Sequence, residues 1–392
     1  LIYLDHAATT PIHPAALDAM MPYLRESYGN PSATYSLARE AGKAVDQARR
    51  SVSDVLNARP SDIVFTSGGT ESINTALKGV AFAQKKARAG NHVVTTSVEH
   101  HSVHHACNYL EQFGFEVTYV DVDRYGLVDP DEVARAVTER TVLVSVMLAN
   151  NEVGTIEPVS EVAAAVAQRG RMLRRRIPVH ADAVQGPGAL SLNVSEMGID
   201  LLSLSGHKFG GPKGSGVLYL RRGTPFVTQM SGGGQERQRR AGTENVAGIV
   251  GQAVALALAE ERRPTFVREA ITLRDRLASG ILETVPDSTL NGHPDKRLAN
   301  NVNVSFRGVR GDDLVMALDK AGIATSAGAA CGSTTWEPSH VLLAMGLSMP
   351  QAVGALRLTL GASSTASEVD QVVPAVAKAV ASLRTAVTAK SG

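Results

Sequence analysis

Leu201-Leu202-Ser203-Leu204-Ser205-Gly206-His207-Lys208-Phe209-Gly210-Gly211-Pro212-Lys213-Gly214 is the stretch from which the rest of the chain can be ordered. The apolar run Ile199 to Leu204 reads as a short buried strand, and the Gly- and Pro-rich segment after it reads as a loop. Lys208 falls where strand gives way to loop, followed by small residues that let another group approach the backbone closely. An amine desolvated there beside a cationic group can lose its proton near neutral pH, which makes Lys208 a candidate Schiff-base nucleophile. A surface lysine in a glycine-rich turn has the same local sequence, so partners elsewhere in the chain decide between the two.

Working outward, residues 17–255 alternate strand-like and helix-like runs. Ile63 to Phe65, His92 to Thr96, Val117 to Val122, Val142 to Met147 and Val179 to Ala181 read as strands beside Ile199 to Leu204. Amphipathic segments lie between them, at Glu71 to Val80, Ser102 to Phe113, Pro130 to Thr138 and Pro158 to Gln168. That alternation predicts an α/β fold with a mostly parallel sheet covered by helices on both faces. A long helical pattern from Ala253 to Ala278 bridges into a smaller α+β part. There the strands Val302 to Phe306, Gly322 to Thr325 and Leu356 to Thr359 precede a terminal helix from Glu368 to Val387. The expected division is a large domain over 17–255 and a small one made of 1–16 and 256–392.

The bulk numbers narrow the class. The 392 residues suit roughly two or three domains. A formal net charge of +1 points to neither nucleic acid nor a membrane surface. Two cysteines, Cys107 and Cys331, make no disulfide framework and suit a reducing compartment. The opening residues hold no basic stretch followed by an apolar one, and no apolar run is of spanning length. The expectation is a soluble, cytoplasmic protein. The basic run from Arg169 to Arg176 reads as a solvated connection between helix and strand rather than a docking patch.

Three further segments carry chemistry. In Phe65-Thr66-Ser67-Gly68-Gly69-Thr70-Glu71-Ser72, a strand turns into a helix whose first N–H groups, with the Thr70 hydroxyl, can hold an anion. Ordinary N-capping by Ser67 or Thr70 explains that segment equally well, and no Gly-Lys-Ser/Thr of a nucleotide loop follows. Asp182 closes a strand, where open α/β sheets bind ligands and where a carboxylate can lie under a protonated ring nitrogen; a cap or turn role is the plainer alternative. His100, at a strand end, can stack on a ring or shuttle a proton. The neighbouring His101, His104 and His105 give i, i+4 pairs without a third ligand, so no metal site is expected and these three are read as surface or partly buried. Cys331 lies in the small-residue loop from Thr325 to His340, the kind of loop in which a thiol can reach a substrate, whereas Cys107 falls inside an amphipathic helix as core.

Taken in order, these segments resemble the cysteine desulfurases of the NifS/IscS group, within the class-V, fold-type I pyridoxal-phosphate enzymes. The likeness runs through Tyr3-Leu4-Asp5-His6-Ala7-Ala8-Thr9-Thr10-Pro11, Gly29-Asn30-Pro31-Ser32, the Phe65 to Ser72 turn and Asn150-Asn151-Glu152-Val153-Gly154. It continues through His180-Ala181-Asp182-Ala183-Val184-Gln185, Ser205-Gly206-His207-Lys208, Gly232-Gly233-Gly234-Gln235-Glu236-Arg237 and Gly242-Thr243-Glu244-Asn245. The resemblance implies a large domain with a mostly parallel seven-stranded sheet and a homodimer. It implies that Lys208 binds pyridoxal 5'-phosphate covalently, that Asp182 pairs with the ring nitrogen, and that His100 stacks on the ring and relays protons. Gln185 and Asn151 then approach the ring hydroxyl. Gly69, Thr70, Ser205 and His207 hold the phosphate, with Thr243 reaching it from the second subunit. Asn151 and Arg357 bind the carboxylate of L-cysteine, and Cys331 accepts its sulfur for a partner protein in iron–sulfur assembly or another thiolation pathway. An aminotransferase, a selenocysteine or C–S lyase, or a non-catalytic sulfur-relay subunit are the rival readings. Three positions depart from the family pattern: Thr34-Tyr35-Ser36 where many relatives have a histidine, Ala362 where a second arginine is common, and Trp336 in the cysteine loop.

Overall fold

The computed structural model describes residues 1–327 and 338–391. In chain order its strands are β1 (Ile2–Tyr3), β2 (Ile63–Thr66), β3 (His92–Thr96), β4 (Glu116–Val120), β5 (Thr141–Ser145) and β6 (Val179–Asp182). They continue with β7 (Leu201–Ser205), β8 (Gly216–Leu220), β9 (Ser288–Leu290), β10 (Asn301–Phe306), β11 (Ile323–Ala324) and β12 (Ala355–Thr359).

Seven of them form one sheet in the order β2-β8-β7-β6-β5-β3-β4. β4, β3, β5, β6 and β7 are mutually parallel, while β8 runs antiparallel between β7 and β2. Strand residues alternate between faces, so Phe65, Val94 and Leu202 enter one core while Val64, Val93 and Leu201 enter the other. Helices cover both sides: Ser36–Val55 and Val159–Met172 on the first, Gly69–Lys86 and His101–Glu111 on the second. Cys107 lies inside the second of these cores, and burial pushes its thiol up to about 12. The direction of connection reverses on either side of β3, leading out to β4 and back through β5, β6 and β7. That switch places a crevice at the carboxyl ends of the parallel strands.

The long helix Val246–Thr284 was expected over a shorter span and runs for 39 residues. Its first half gives Ile249, Ala253 and Leu256 to the large sheet, and its second half gives Leu277 and Ile281 to a separate core. That core packs β12-β10-β9, an antiparallel sheet, against Gly311–Lys320 and the terminal helix Ala366–Ser391. The segment expected as a strand from Gly322 to Thr325 is shorter. It pairs as β11 with β1 rather than joining the three-stranded sheet. Phe306 is wholly buried in the smaller core. Phe306→Ala should lower unfolding free energy by about 3–5 kcal/mol in a urea titration, the cost of lost transfer energy plus a cavity.

Candidate active site

β3, β5, β6 and β7 each deliver polar residues to the crevice. β3 ends before His100, which caps His101–Glu111: the Ser102 N–H donates to His100 Nδ1 at 3.1 Å, with the Ser102 hydroxyl 2.7 Å from the same nitrogen. Burial, and then the nearby Lys208, lower His100 to about 4, so its imidazole is neutral at physiological pH. Asn151 follows β5. Asp182 is the last residue of β6; its Oδ1 accepts the Val184 N–H at 3.0 Å, and burial raises it to about 6 against the pull of that bond and of Lys208. Upstream in the same strand His180 bridges Ser145 and Ser203 at 2.9 Å on either side, which ties three strands together beneath the crevice.

Ser205 ends β7, and a single tight turn, Gly206–Lys208, carries the lysine back over the sheet. Lys208 Nζ donates to the carbonyls of Ala7 and Ala8 at 2.6 and 2.8 Å, and Gln185 Nε2 donates to the Ala7 carbonyl at 3.1 Å. The N-terminal segment thus closes over the lysine. It is held in place by the Ala7 N–H donating to Thr359 Oγ1 at 2.9 Å. His207 Nδ1 lies 3.1 Å from Thr9 Oγ1, and burial lowers the imidazole to about 4.

These groups line one cavity of about 300 Å³: Gly69, Thr70, His100, Asn151, Asp182, Gln185, Ser205, His207, Lys208 and Arg357 all face it. At its anion end a Cβ on Gly69 would come within 2.9 Å of Val184 Cγ2 and 3.3 Å of Ser205 Cβ. A glycine is therefore what lets the first turn of Gly69–Lys86 close on Ser205. Hydroxyls of Thr70 and Ser205, the His207 ring and helix N–H groups suit a phosphate. The buried carboxylate of Asp182 suits a protonated ring nitrogen, and the Lys208 amine suits an aldehyde. The donor set fits pyridoxal phosphate.

At the opposite end Arg357 is buried, donating to the Asn151 carbonyl at 2.9 Å and to Asp5 Oδ1 at 2.8 Å. Among the described residues its Nε is buried without a partner, which leaves donor capacity for an arriving carboxylate. Cys331 and Trp336 lie outside the described residues, but the chain on both sides of that segment is anchored at the cavity. Ser326 pairs its backbone with Arg357, at 3.2 and 2.7 Å, and Ser339 Oγ donates to Glu152 Oε2 at 2.5 Å.

Some placements were not anticipated. Asp5, His101 and His340 belong to the site: Asp5 as the ion-pair partner of Arg357, the two histidines as cavity wall with ring centroids 4.7 Å apart. Thr243 does not face the Lys208 cavity of its own chain; it lines a smaller one of about 140 Å³ with Ser67 and Arg240. Ala362 lines an adjoining cavity of about 280 Å³ that shares Gln185 and Lys208, and Tyr35 is exposed just before Ser36–Val55. Among the described residues no group of three His, Cys, Asp or Glu side chains is placed to hold a metal ion, and no helix is long and apolar enough to cross a membrane.

Residues 2–372 match the family described as aminotransferase class-V. The chain is 47% identical to a cysteine desulfurase IscS of Methanosarcina thermophila, over 98% of this chain and 93% of that protein. Among solved structures it superposes on a NifS-like protein with a TM-score of 0.90 and 38% identity, covering 97% of this chain and 99% of the other. SspA, solved in complex with cysteine, matches with a TM-score of 0.79 and 36% identity over 92% of this chain and 99% of that one.

Proposed function

This chain belongs to the aminotransferase class-V family, and we propose that it works there as a pyridoxal-phosphate-dependent cysteine desulfurase. It turns L-cysteine into L-alanine and passes the sulfur, through a persulfide on Cys331, to an acceptor protein. One observation carries the reading: a single cavity gathers an amine, a buried carboxylate, an anion cradle and a carboxylate-binding arginine, and both flanks of the Cys331 segment sit against it.

Gly69, Thr70, Ser205 and His207 would hold the cofactor's phosphate, Asp182 its ring nitrogen, His100, Asn151 and Gln185 its ring, and Lys208 its aldehyde. When bound, pyridoxal phosphate supplies an electron sink for charge at the substrate Cα. Arg357 and Asn151 orient the substrate by its carboxylate, with Asp5 fixing the guanidinium. Lys208, held at the cavity by the Ala7 and Ala8 carbonyls, is the base for the Cα proton. His100, neutral near pH 7, is placed to take or return a second proton. The Cys331 thiolate forms a bond to the substrate sulfur as the carbon–sulfur bond breaks; the electron pair stays on the carbon, which is protonated to the methyl group of alanine. Cysteine plus thiol thus gives alanine plus persulfide, with no outside oxidant.

The proposal includes a homodimer, because Thr243 serves the phosphate only if a second subunit presents it, and a reducing, cytoplasmic setting that keeps Cys331 a thiol. The large and small cores are proposed as its two domains. Incubation with L-cysteine should give alanine and, with a reductant, an equal amount of sulfide; without reductant the intact protein should gain the mass of sulfur. Pyruvate, or alanine with no sulfur on the protein, would overturn the reading. Arg357→Lys should raise KM for L-cysteine by about ten-fold or more, because a point charge replaces a planar fork, while cofactor uptake followed by absorbance stays as in the parent.

A further inference from the structure

Two ion pairs fasten residues 235–240, one to Arg49 of the helix Ser36–Val55 and one to Glu71 in the first turn of Gly69–Lys86. Glu236 is buried and takes both terminal nitrogens of Arg49 at 2.7 Å, together with the Phe65 N–H of β2 at 3.0 Å. Around that anchor Glu236, Arg237 and Gln238 all hold left-handed backbone, with φ of +46°, +56° and +64°. Side chains other than glycine adopt that region at a cost, so it persists only where surrounding bonds over-determine it. The consequence is the delivery of Arg240 to Glu71: Nε to Oε1 at 2.8 Å and NH2 to Oε2 at 3.3 Å, with both side chains largely buried. Glu71 also accepts the Ser67 N–H at 2.8 Å. It does not line the cavity, whereas Gly69 and Thr70 of the same turn do.

An acid in the first turn favours the helix itself. Its charge also opposes any anion that the same N–H groups would bind. Burial alone would raise the Glu71 carboxyl, but the bonds from Arg240 and Ser67 outweigh it and hold the group below the ordinary carboxylate range. The charge is therefore present at neutral pH and has to be cancelled.

Resting on the cofactor reading above, we infer that Arg240 is a positioning residue for the anion end of the site. By neutralising Glu71 it keeps the Ser67–Thr70 turn attractive to the dianionic phosphate of the cofactor. Arg49 and Glu236 act one step further back, by fixing the backbone that presents Arg240.

The test compares pyridoxal with pyridoxal phosphate, which differ only in the group concerned. Cofactor uptake is titrated by absorbance in the full-length parent, Arg240→Met and the double variant Glu71→Gln/Arg240→Met. Glutamine keeps an oxygen for the Ser67 N–H and removes the charge. Arg240→Met should weaken pyridoxal phosphate by about ten-fold or more and leave pyridoxal within about two-fold. The double variant should regain most of the loss. Equal loss for both compounds, or a double variant as weak as Arg240→Met, would show a structural or direct-contact role and overturn the inference alone. A parent chain that takes up neither compound would sink the cofactor reading and this inference with it.

Discussion

Lys208→Ala is expected to lower conversion of L-cysteine by about 10³-fold or more, because it removes the proposed general base, the one lysine lining the cavity among the described residues. The same change should abolish covalent retention of pyridoxal phosphate. After borohydride reduction and unfolding, the parent should carry the cofactor's mass and the variant should not. Loss of structure has to be separated from loss of chemistry, since Lys208 Nζ also donates to the carbonyls of Ala7 and Ala8, which close the N-terminal segment over the site. The anion cradle offers that separation. Gly69, Thr70, Ser205 and His207 line the proposed phosphate end independently of the Lys208 amine, so the variant should still take up pyridoxal phosphate reversibly, and added methylamine should restore part of the activity. A reduced adduct found on Lys208→Ala would place the covalent site on another lysine and overturn the assignment.

The parts of this site that sequence shows are those where an apolar run stops at a small or polar residue. His100, Asp182, Ser205 and Lys208 all follow such stops, and β3, β5, β6 and β7 lie where their runs predict. What sequence hides is long-range pairing. Gly216–Leu220 follows a glycine-rich stretch and is easily taken as part of that loop; only its pairing with both β7 and β2 makes it a central strand. β1, two residues long, carries no periodicity to read, and the run read as a strand from Gly322 to Thr325 does not reveal that β11 pairs with β1. Asp5 belongs to the site solely through Arg357, 352 residues away, and Arg240 meets Glu71 across 169. Local pattern reports burial and turn chemistry; it cannot report which charge a distant charge finds. His101 and His340 illustrate the same gap, since their mutual contact joins the start of the helix His101–Glu111 to a residue far along the chain that also meets the Glu99 carbonyl.

Cys331→Ser separates the sulfur step from everything that precedes it. Cofactor absorbance and the affinity for L-cysteine should stay near the parent's, because Lys208, Asp182 and Arg357 are untouched. Alanine formation should fall by about 10²-fold or more, since a hydroxyl, with a far higher pKa, does not attack sulfur as a thiolate does. The second cysteine cannot take over. Cys107 is wholly buried in the core between the sheet and the helices Gly69–Lys86 and His101–Glu111, and its thiol is pushed up to about 12. Intact-mass analysis after L-cysteine should therefore find added sulfur on the parent and on Cys107→Ser, and none on Cys331→Ser. Sulfur appearing on Cys331→Ser, or alanine formed at the parent's rate, would mean that a group other than the Cys331 thiol accepts the sulfur, and its assignment as the acceptor would fall. The anchoring on both sides favours the first outcome: Ser326 is bonded through its backbone to Arg357, proposed to bind the substrate carboxylate, and Ser339 to Glu152 beside Asn151, so the chain on both sides of the Cys331 segment is tied beside the proposed substrate position.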